Sequence, residues 1–317
     1  FTLEDYTVET LVSENGLSLE AWGIFTNYAG EKQLMFECVN NSDQQVGVRT
    51  YRAGLNGLML YESYTTYDTV NPGCTQIISF PYAYLVEDAF EDTLGLSDIG
   101  TVSFTFDAVE DDYDYVVNPV EFTFPVGKET AGFDATGTEV FNENGVRVVF
   151  KGFFNGHSEY DDELHALFIL ENTYGEDVNF RFDECFLNGN DVASVGSMVI
   201  PNGASAALEL TFYSYSFEEF NISTIADVQT IDANVELRTM GYSTIAEGPI
   251  ATIEVANSSE SESEAAEQEM IEESNTIAPP IDQGENEEDI SSSANNDVAT
   301  AASSEQEKIV AAEESSG

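Results

Sequence analysis

Four carboxylates crowd into one short stretch of this 317-residue chain, at Glu110, Asp111, Asp112 and Asp114. Ca2+ takes about six to eight oxygen ligands, several of them carboxylates on a loop that can wrap it. This stretch is therefore the candidate metal site, and Ca2+ is the one cofactor it suggests. The spacing lacks the loop glycine and closing glutamate of an EF-hand, and the corresponding later stretch, Arg238-Thr239-Met240-Gly241-Tyr242, carries no acids. A solvated acidic loop is the competing reading. The two histidines, His157 and His165, bracket Asp161, Asp162 and Glu163, residue types that zinc accepts. That segment also reads as a polar loop entering a strand, where alternation turns His165 away from some of the acids.

Tyrosines are dense in the first half, at Tyr61, Tyr64, Tyr67, Tyr82, Tyr84, Tyr113 and Tyr115. Exposed, they would stack on sugar rings or form a protein-binding hot spot; otherwise they are ordinary sheet residues. Tyr61, Tyr64 and Tyr67 are the candidate interaction face. Hydrolysis by a nucleophile would need serine, histidine and acid to converge. The chain contains no G-x-S-x-G, and its first module, residues 1–126, has no histidine. Paired carboxylates are too numerous to single out a dyad, and no glycine-rich phosphate loop occurs. No catalytic or cofactor-binding residue is assigned, and a non-enzymatic protein is expected.

The elements that must position these residues occur twice. Glu14-Asn15-Gly16, Trp22-Gly23, the run 34–42 and Asn56-Gly57 reappear in order as Glu143-Asn144-Gly145, Lys151-Gly152, the run 166–173 and Asn188-Gly189. Pairing Gly16 with Gly145, Gly23 with Gly152, Asn41 with Asn172 and Gly57 with Gly189 gives offsets of 129, 129, 131 and 132. Pro201 similarly answers Pro72. The chain is a tandem duplication.

Residues 5–12 and 17–22 read as the first strands, joined by a hairpin turn at Asn15-Gly16, where positive φ is tolerated. Leu17, Leu19 and Ala21 then share a face. Residues 34–39 carry few charges and belong at a sheet centre. Strands follow over 46–51, 76–80, 102–106 and 115–124, with Pro119 at a strand start or edge. Residues 84–93 are the one helix-like piece. About seven short strands per copy, with frequent turns and almost no helical periodicity, read as a β-sandwich. The expected fold is all-β: two tandem immunoglobulin-like β-sandwich domains followed by a disordered acidic tail. Residues 1–126 form the first, 127–133 a linker and 134–256 the second. Residues 257–317, rich in Ser, Glu, Ala and Asn, cannot bury enough apolar surface to offset their ordering entropy.

With 60 Asp and Glu against 9 Lys and Arg, the formal net charge is −51. Such a field repels nucleic acid and anionic membrane surfaces, so neither is an expected partner. Cations, basic protein patches or plain solubility fit it better. A hydrophobic fraction of 42% supplies cores for two ordinary domains. Cys38, Cys74 and Cys185 are odd in number and form no C-x-x-C pair, so no disulfide framework is expected and Cys38 reads as a core residue. A Cys38–Cys74 bridge stays open as an alternative. No stretch approaches the roughly 18 apolar residues of a membrane span. The first residue is Phe1, which points to an excised signal or lipid-anchored segment and so to an exported protein.

Glu14 to Leu19, Leu34 to Ser42, Asn56-Gly57 and, in the second copy, Ile222-Ser223-Thr224-Ile225-Ala226-Asp227-Val228 together form a pattern. It resembles the uncharacterised, telokin-like immunoglobulin-like modules of Gram-positive surface proteins and lipoproteins. The resemblance covers residues 5–256 and implies an exported β-sandwich; it brings no catalytic residues. The first copy departs from the pattern at Gly100-Thr101, where the second has Ala226-Asp227. The reading is an extracellular or cell-surface interaction and spacer protein with an unknown protein or glycan partner. The alternative is a carbohydrate- or calcium-binding module using the tyrosines and the 110–114 loop.

Overall fold

Period-two alternation becomes pleated strands along both halves of the chain. The computed structural model describes residues 2–255, apart from positions 29, 31, 64, 83–84, 86–87, 111–113, 128–130 and 156–162. Of residues 2–9, 61, 88–89 and 218 it describes the backbone alone. The tail expected over 257–317 lies outside the described residues. The first half contributes β1 (Thr2–Glu14), β2 (Leu17–Thr26), β3 (Lys32–Asn40), β4 (Val46–Leu55), β5 (Leu58–Tyr61), β6 (Thr66–Val70) and β7 (Cys74–Phe80). A helix α1 (Asp88–Leu94), β8 (Thr101–Val109) and β9 (Tyr115–Pro125) complete it. The second half contributes β10 (Thr138–Glu143), β11 (Val146–Asn155), β12 (Leu164–Asn172), β13 (Val178–Leu187), β14 (Asn190–Val192), β15 (Ser194–Val195), β16 (Ser197–Ile200) and β17 (Ser205–Phe212). Short 3-10 turns at Ser214–Ser216, Glu218–Phe220 and Ile225–Asp227 then lead to β18 (Thr230–Thr239), β19 (Thr244–Pro249) and β20 (Ile253–Glu254).

These strands make three sheets. One has four strands, β1-β2-β3-β7, and one has six, β14-β13-β18-β19 with β16 and β20 at its margins. The third has ten and runs β10-β11-β12-β17-β5-β4-β8-β9, with β6 on β4 and β15 on β17. In the first sandwich the β1-β2-β3-β7 sheet packs on the β4-β8-β9 end of the long sheet. Phe36 and Phe80 there meet Phe104, with ring centroids 5.4 and 5.1 Å apart. In the second, the β10-β11-β12-β17 end packs on the six-stranded sheet, with Phe168 4.8 Å from Phe182. The fold is therefore the all-β sandwich architecture that the alternation implies. Leu17, Leu19 and Ala21 are buried together, and β3 lies between β2 and β7. Pro119 lies in β9, the last strand of the long sheet, beside a register shift that spares the ladder a missing N–H.

The asparagines of the duplicated motifs are clamps. Asn40 is fully buried; its amide donates to the carbonyls of Gln44 and Val70 at 2.8 and 2.9 Å and accepts from the Ser42 N–H at 2.9 Å. Asn172 repeats this on Glu176, Ile200 and Tyr174 at 2.9, 2.8 and 2.9 Å. The counterpart of Asn172 is thus Asn40 and not Asn41: the alternating run has the same 132-residue offset as Asn56 and Asn188. Gly73 and Gly203 donate to the carbonyls of Asn40 and Asn172, which likewise places Asn71, not Pro72, opposite Pro201. At the next turn Asn56 (φ 52°) donates to Asp98 O and accepts from Gly100 N. Asn188 (φ 51°) does the same with Asp227 O and Gln229 N. Only a short side chain carrying both donor and acceptor, and tolerant of left-handed backbone, fits these sites.

The two sandwiches are joined by backbone. β5 pairs in parallel with β17, Ser205 opposite Leu58 and Ala206 opposite Met59. Met59 belongs to the second core, while Val149, Leu167, Ile169 and Ala207 of the second copy belong to the first. Phe90 of α1 packs edge-on against Phe154 of β11 at 5.1 Å. Hence every residue of β12 from Leu164 to Leu170 is buried, whereas β3, its counterpart, alternates buried and half-buried. The segment linking the copies is pinned as well. Asn56 donates to Gly132 O at 3.0 Å, and Asp134 N donates to Leu94 O at 2.7 Å. The buried Lys151 ammonium meets the Asp134 carboxylate at 3.0 Å. Hydrogen bonds from Thr136, then from Lys151, hold the Asp134 carboxyl down at about 2.

No disulfide forms: Cys38 and Cys185 are buried thiols and Cys74 is exposed. The Cys38–Cys74 alternative fails because the register places Cys74 opposite Asn40 and Cys38 opposite Gln76. Burial pushes the Cys38 thiol up to about 12 and the Cys185 thiol to about 11. Native chain treated with iodoacetamide at pH 8 should therefore carry one modification, at Cys74, and three once unfolded in urea. Peptide mass mapping after alkylation checks both.

Candidate functional site

β4 and β8 pair so that Arg49 stands opposite Asp107, which puts a cation and an acid side by side on the outer face of the long sheet. Arg49 Nε donates to Asp107 Oδ1 at 2.6 Å and its Nη2 to Oδ2 at 2.7 Å, a two-point fork with side chains 8% and 1% exposed. Tyr51, two residues along β4, also bonds this carboxylate. Burial foremost, then the Asp107 charge, pushes its phenol up to about 12. Tyr67 of β6 lies directly opposite Arg49. Its hydroxyl stands 3.0 Å from where a Cβ on Gly47 would be, so the glycine leaves room for the ring. Tyr115, opposite Val109, completes the frame. Tyr67 and Tyr115 are 61% and 52% exposed.

The duplicate shows what is particular to this patch. Arg181 faces Glu236 across β13 and β18 at 2.8 Å, in the same register as Arg49 and Asp107. Around that pair, Asp183 stands where the first copy has Tyr51, Ser197 where it has Tyr67 and Thr244 where it has Tyr115. Arg181 is accordingly 50% exposed. The tyrosine frame excludes water from the first pair. It leaves Tyr67 and Tyr115 partly exposed beside an ion pair whose oxygens are already committed, which suits stacking and hydrogen bonding.

Of the residues singled out in sequence, Tyr67 is in this patch. Tyr61 pairs by its backbone with Ala53 on β4, and Tyr64 lies outside the described residues. Glu110 and Asp114 close the β8–β9 hairpin beside Tyr115 through an N–H to carbonyl bond of 3.0 Å. Asp111 and Asp112 lie outside the described residues. Among the described residues no group of three or more His, Cys, Asp or Glu is placed to hold a metal ion. His165 is buried on β12 and its Nδ1 meets Glu209 of β17; His157, Asp161 and Asp162 lie outside the described residues. Asp227 is a turn cap: its carboxylate accepts from the Ser223 and Thr224 N–H groups, and these bonds lower its pKa. Arg49 and Asp107 were not among the candidates. A signal existed, since Arg49 and Arg181, two of only 9 cations, share the 132-residue offset.

A cleft of about 280 Å3 opens at the seam, floored by Leu60, Phe90, Leu94 and Leu167 and edged by Glu62 and Glu209. Its acids serve the fold. Glu62 accepts the Val199 N–H at 2.9 Å across the seam, and Glu209 pairs with His165.

No family model matches this sequence, and no curated protein matches it significantly. Among solved structures, it is similar to the Salmonella enterica SafA pilin in complex with the SafB chaperone, at 9% identity over 78% of this chain and 97% of that one, with a TM-score of 0.23. It is also similar to the Amycolatopsis orientalis exo-chitosanase CsxA, at 11% identity over 68% of this chain and 25% of that one, with a TM-score of 0.21. A protein of unknown function from Porphyromonas gingivalis W83 shows 10% identity over 78% of this chain and 99% of that one, with a TM-score of 0.19. None of these likenesses is close enough to carry an activity or a partner across.

The duplicated ion pairs give a controlled comparison. Arg49→Ala strands a buried carboxylate and should cost about 3–5 kcal/mol, whereas Arg181→Ala at the exposed counterpart should cost at most about 1 kcal/mol. Urea midpoints at equal m-value read both. Tyr51 adds a pH signature. Its folded pKa is raised, so its contribution is complete below the ordinary tyrosine value near 10 and is lost as pH rises towards about 12. Tyr51→Phe should flatten that alkaline fall.

Proposed function

We propose that this chain is a non-enzymatic interaction and spacer protein that works outside the cell, its two sandwiches acting as one stiff unit. The observation that carries this reading is the ten-stranded sheet, to which both copies contribute through the β5–β17 pairing. Two beads on a string would need neither a shared sheet nor the Arg52–Asp177 ion pair of 3.2 Å across it. Arg52 itself sits at φ 51°, a costly conformation for a residue other than glycine or asparagine, at the bulge from which β5 departs. Extracellular placement is supported by the resemblance to exported telokin-like modules and by the acidic surface. No helix among the described residues is long and apolar enough to cross a membrane. The tyrosine patch favours a second reading, in which Tyr67 and Tyr115 bind a glycan and the neighbouring 110–114 loop a Ca2+ ion. A rise in melting temperature with millimolar Ca2+ would support that reading.

Calorimetry on the full chain tests the stiff-unit reading. The seam should make unfolding a single transition, with calorimetric and van't Hoff enthalpies equal. Gly54 supplies the perturbation, because a Cβ there would stand 2.4 Å from Leu58 O. Gly54→Val should push β5 off and split the melt into two transitions. Two independent transitions in the unaltered chain would overturn the proposal.

A further inference from the structure

Duplication lets one copy show what the other lacks. β17 has β12 on one side and β5 on the other, the latter against Ser205 and Ala206. Its counterpart in the first copy is β7: Cys74 pairs with Asn40 and Phe80 with Leu34, as Ser205 pairs with Glu171 and Phe212 with Leu164. With Asn40 matching Asn172, Thr75 and Gln76 occupy the places of Ser205 and Ala206. Among the described residues β7 has β3 as its one strand neighbour and ends its sheet. Cys74, Thr75, Gln76, Ile77 and Ser79 are all exposed. In a chain with 60 acids, β7 carries no charged residue at all. Exposed edges are ordinarily blunted by charge, proline or a bulge, because unpaired N–H and C=O groups template a further strand; this one has none of the three.

We propose that the β7 edge is a docking site for an extended segment of a partner protein, added as a parallel strand beside Thr75 and Gln76. The segment carries apolar residues, as β5 does with Leu58 and Met59, and lysine or arginine at its flanks. The apolar character follows from the occupant of β17: Leu58 and Met59 are 0% and 7% exposed once docked there. The basic flanks follow from the field of a chain at −51, which attracts cationic segments and repels acidic ones. The same field disfavours a second copy as occupant. The counterpart of β5 that such a copy could offer is β14, which opens Asn190-Asp191 where β5 has Leu58-Met59. Main-chain pairing would supply affinity, and the charges would select the partner.

The inference rests on the seam that the spacer reading uses, but the two fail separately. A chain that melts in one transition yet ignores the probe keeps the seam and loses the docking edge. The probe is a synthetic peptide with the sequence of residues 58–61 between lysine pairs, titrated calorimetrically into the full chain; its control carries glutamate pairs. Saturable binding is expected, weaker by about tenfold or more for the glutamate control and for Ile77→Asp. Ile77 is 39% exposed and stands opposite Glu37, so that variant should stay folded with a small fall in melting temperature. Cys74, the exposed thiol on the same strand, reports the location: bound peptide should slow its alkylation. Undiminished binding to Ile77→Asp, or binding that leaves Cys74 reactivity unchanged, would overturn the site. Self-association of the full chain that Ile77→Asp abolishes would overturn the occupant.

Discussion

The relation between the two copies depends on one short parallel pairing, that of β5 with β17. Without it, β4-β8-β9 and β10-β11-β12-β17 would each be the half of a separate sandwich. With it, α1 packs against β11 through Phe90 and Phe154, and Leu167 and Ile169 become core residues on a face that β3 leaves half-open with Met35 and Glu37. Burying side chains of that size is worth about 1.5–3 kcal/mol each, whereas four residues of strand add little alone. The pairing aligns the copies, and the packing behind it holds them. Gly54 makes this geometry available, since β5 passes so close that any side chain at that position would meet Leu58 O. The second copy has Phe186 there, and its β14 pairs with β13 in plain register.

Buried polar groups, not extra apolar area, fix the register of each copy. Asn40 and Asn172 are fully buried, and each holds a loop carbonyl, a strand-end carbonyl and a turn N–H at once. A leucine could fill the space but would orphan those groups, each costing about 1–3 kcal/mol. These residues survive duplication while the surrounding apolar positions drift, as Val48 and Phe180 do, because packing accepts substitutes of similar bulk and a donor–acceptor pair does not.

This also explains what could be read in the sequence. Alternation gave the strands, and the recurrence of Asn-Gly gave the turns and the duplication, because both are local. The match of Asn41 with Asn172 was a residue out, since adjacent asparagines are alike in sequence and differ only in which one points inward. The helix-like piece over 84–93 is described as Asp88–Leu94, and its contact with Phe154 of β11 was invisible, as was the cover on β12: β3 and β12 look equally apolar until something covers one of them. The tyrosines could be listed, but that Tyr51, Tyr67 and Tyr115 frame one ion pair follows from the pairing of four strands. No spacing along the chain encodes that.

Cations are scarce in this chain, 9 against 60 acids, and six of those among the described residues are tied to acids. Arg49 is locked to Asp107 and Arg52 to Asp177; Arg147 bridges Glu139 and Glu171, Lys151 holds Asp134, and Arg181 and Arg238 share Glu236. Each pair cancels charge locally, and among the described residues Asp107 is the one acid that is buried. Screening limits the field of the others to about 8 Å at physiological salt, so it acts on whatever approaches the surface and hardly at all on the cores. The few cations position strands against each other. The many acids set a field that repels anions, which is why the contacts proposed above fall on uncharged features, the tyrosine patch and the β7 edge.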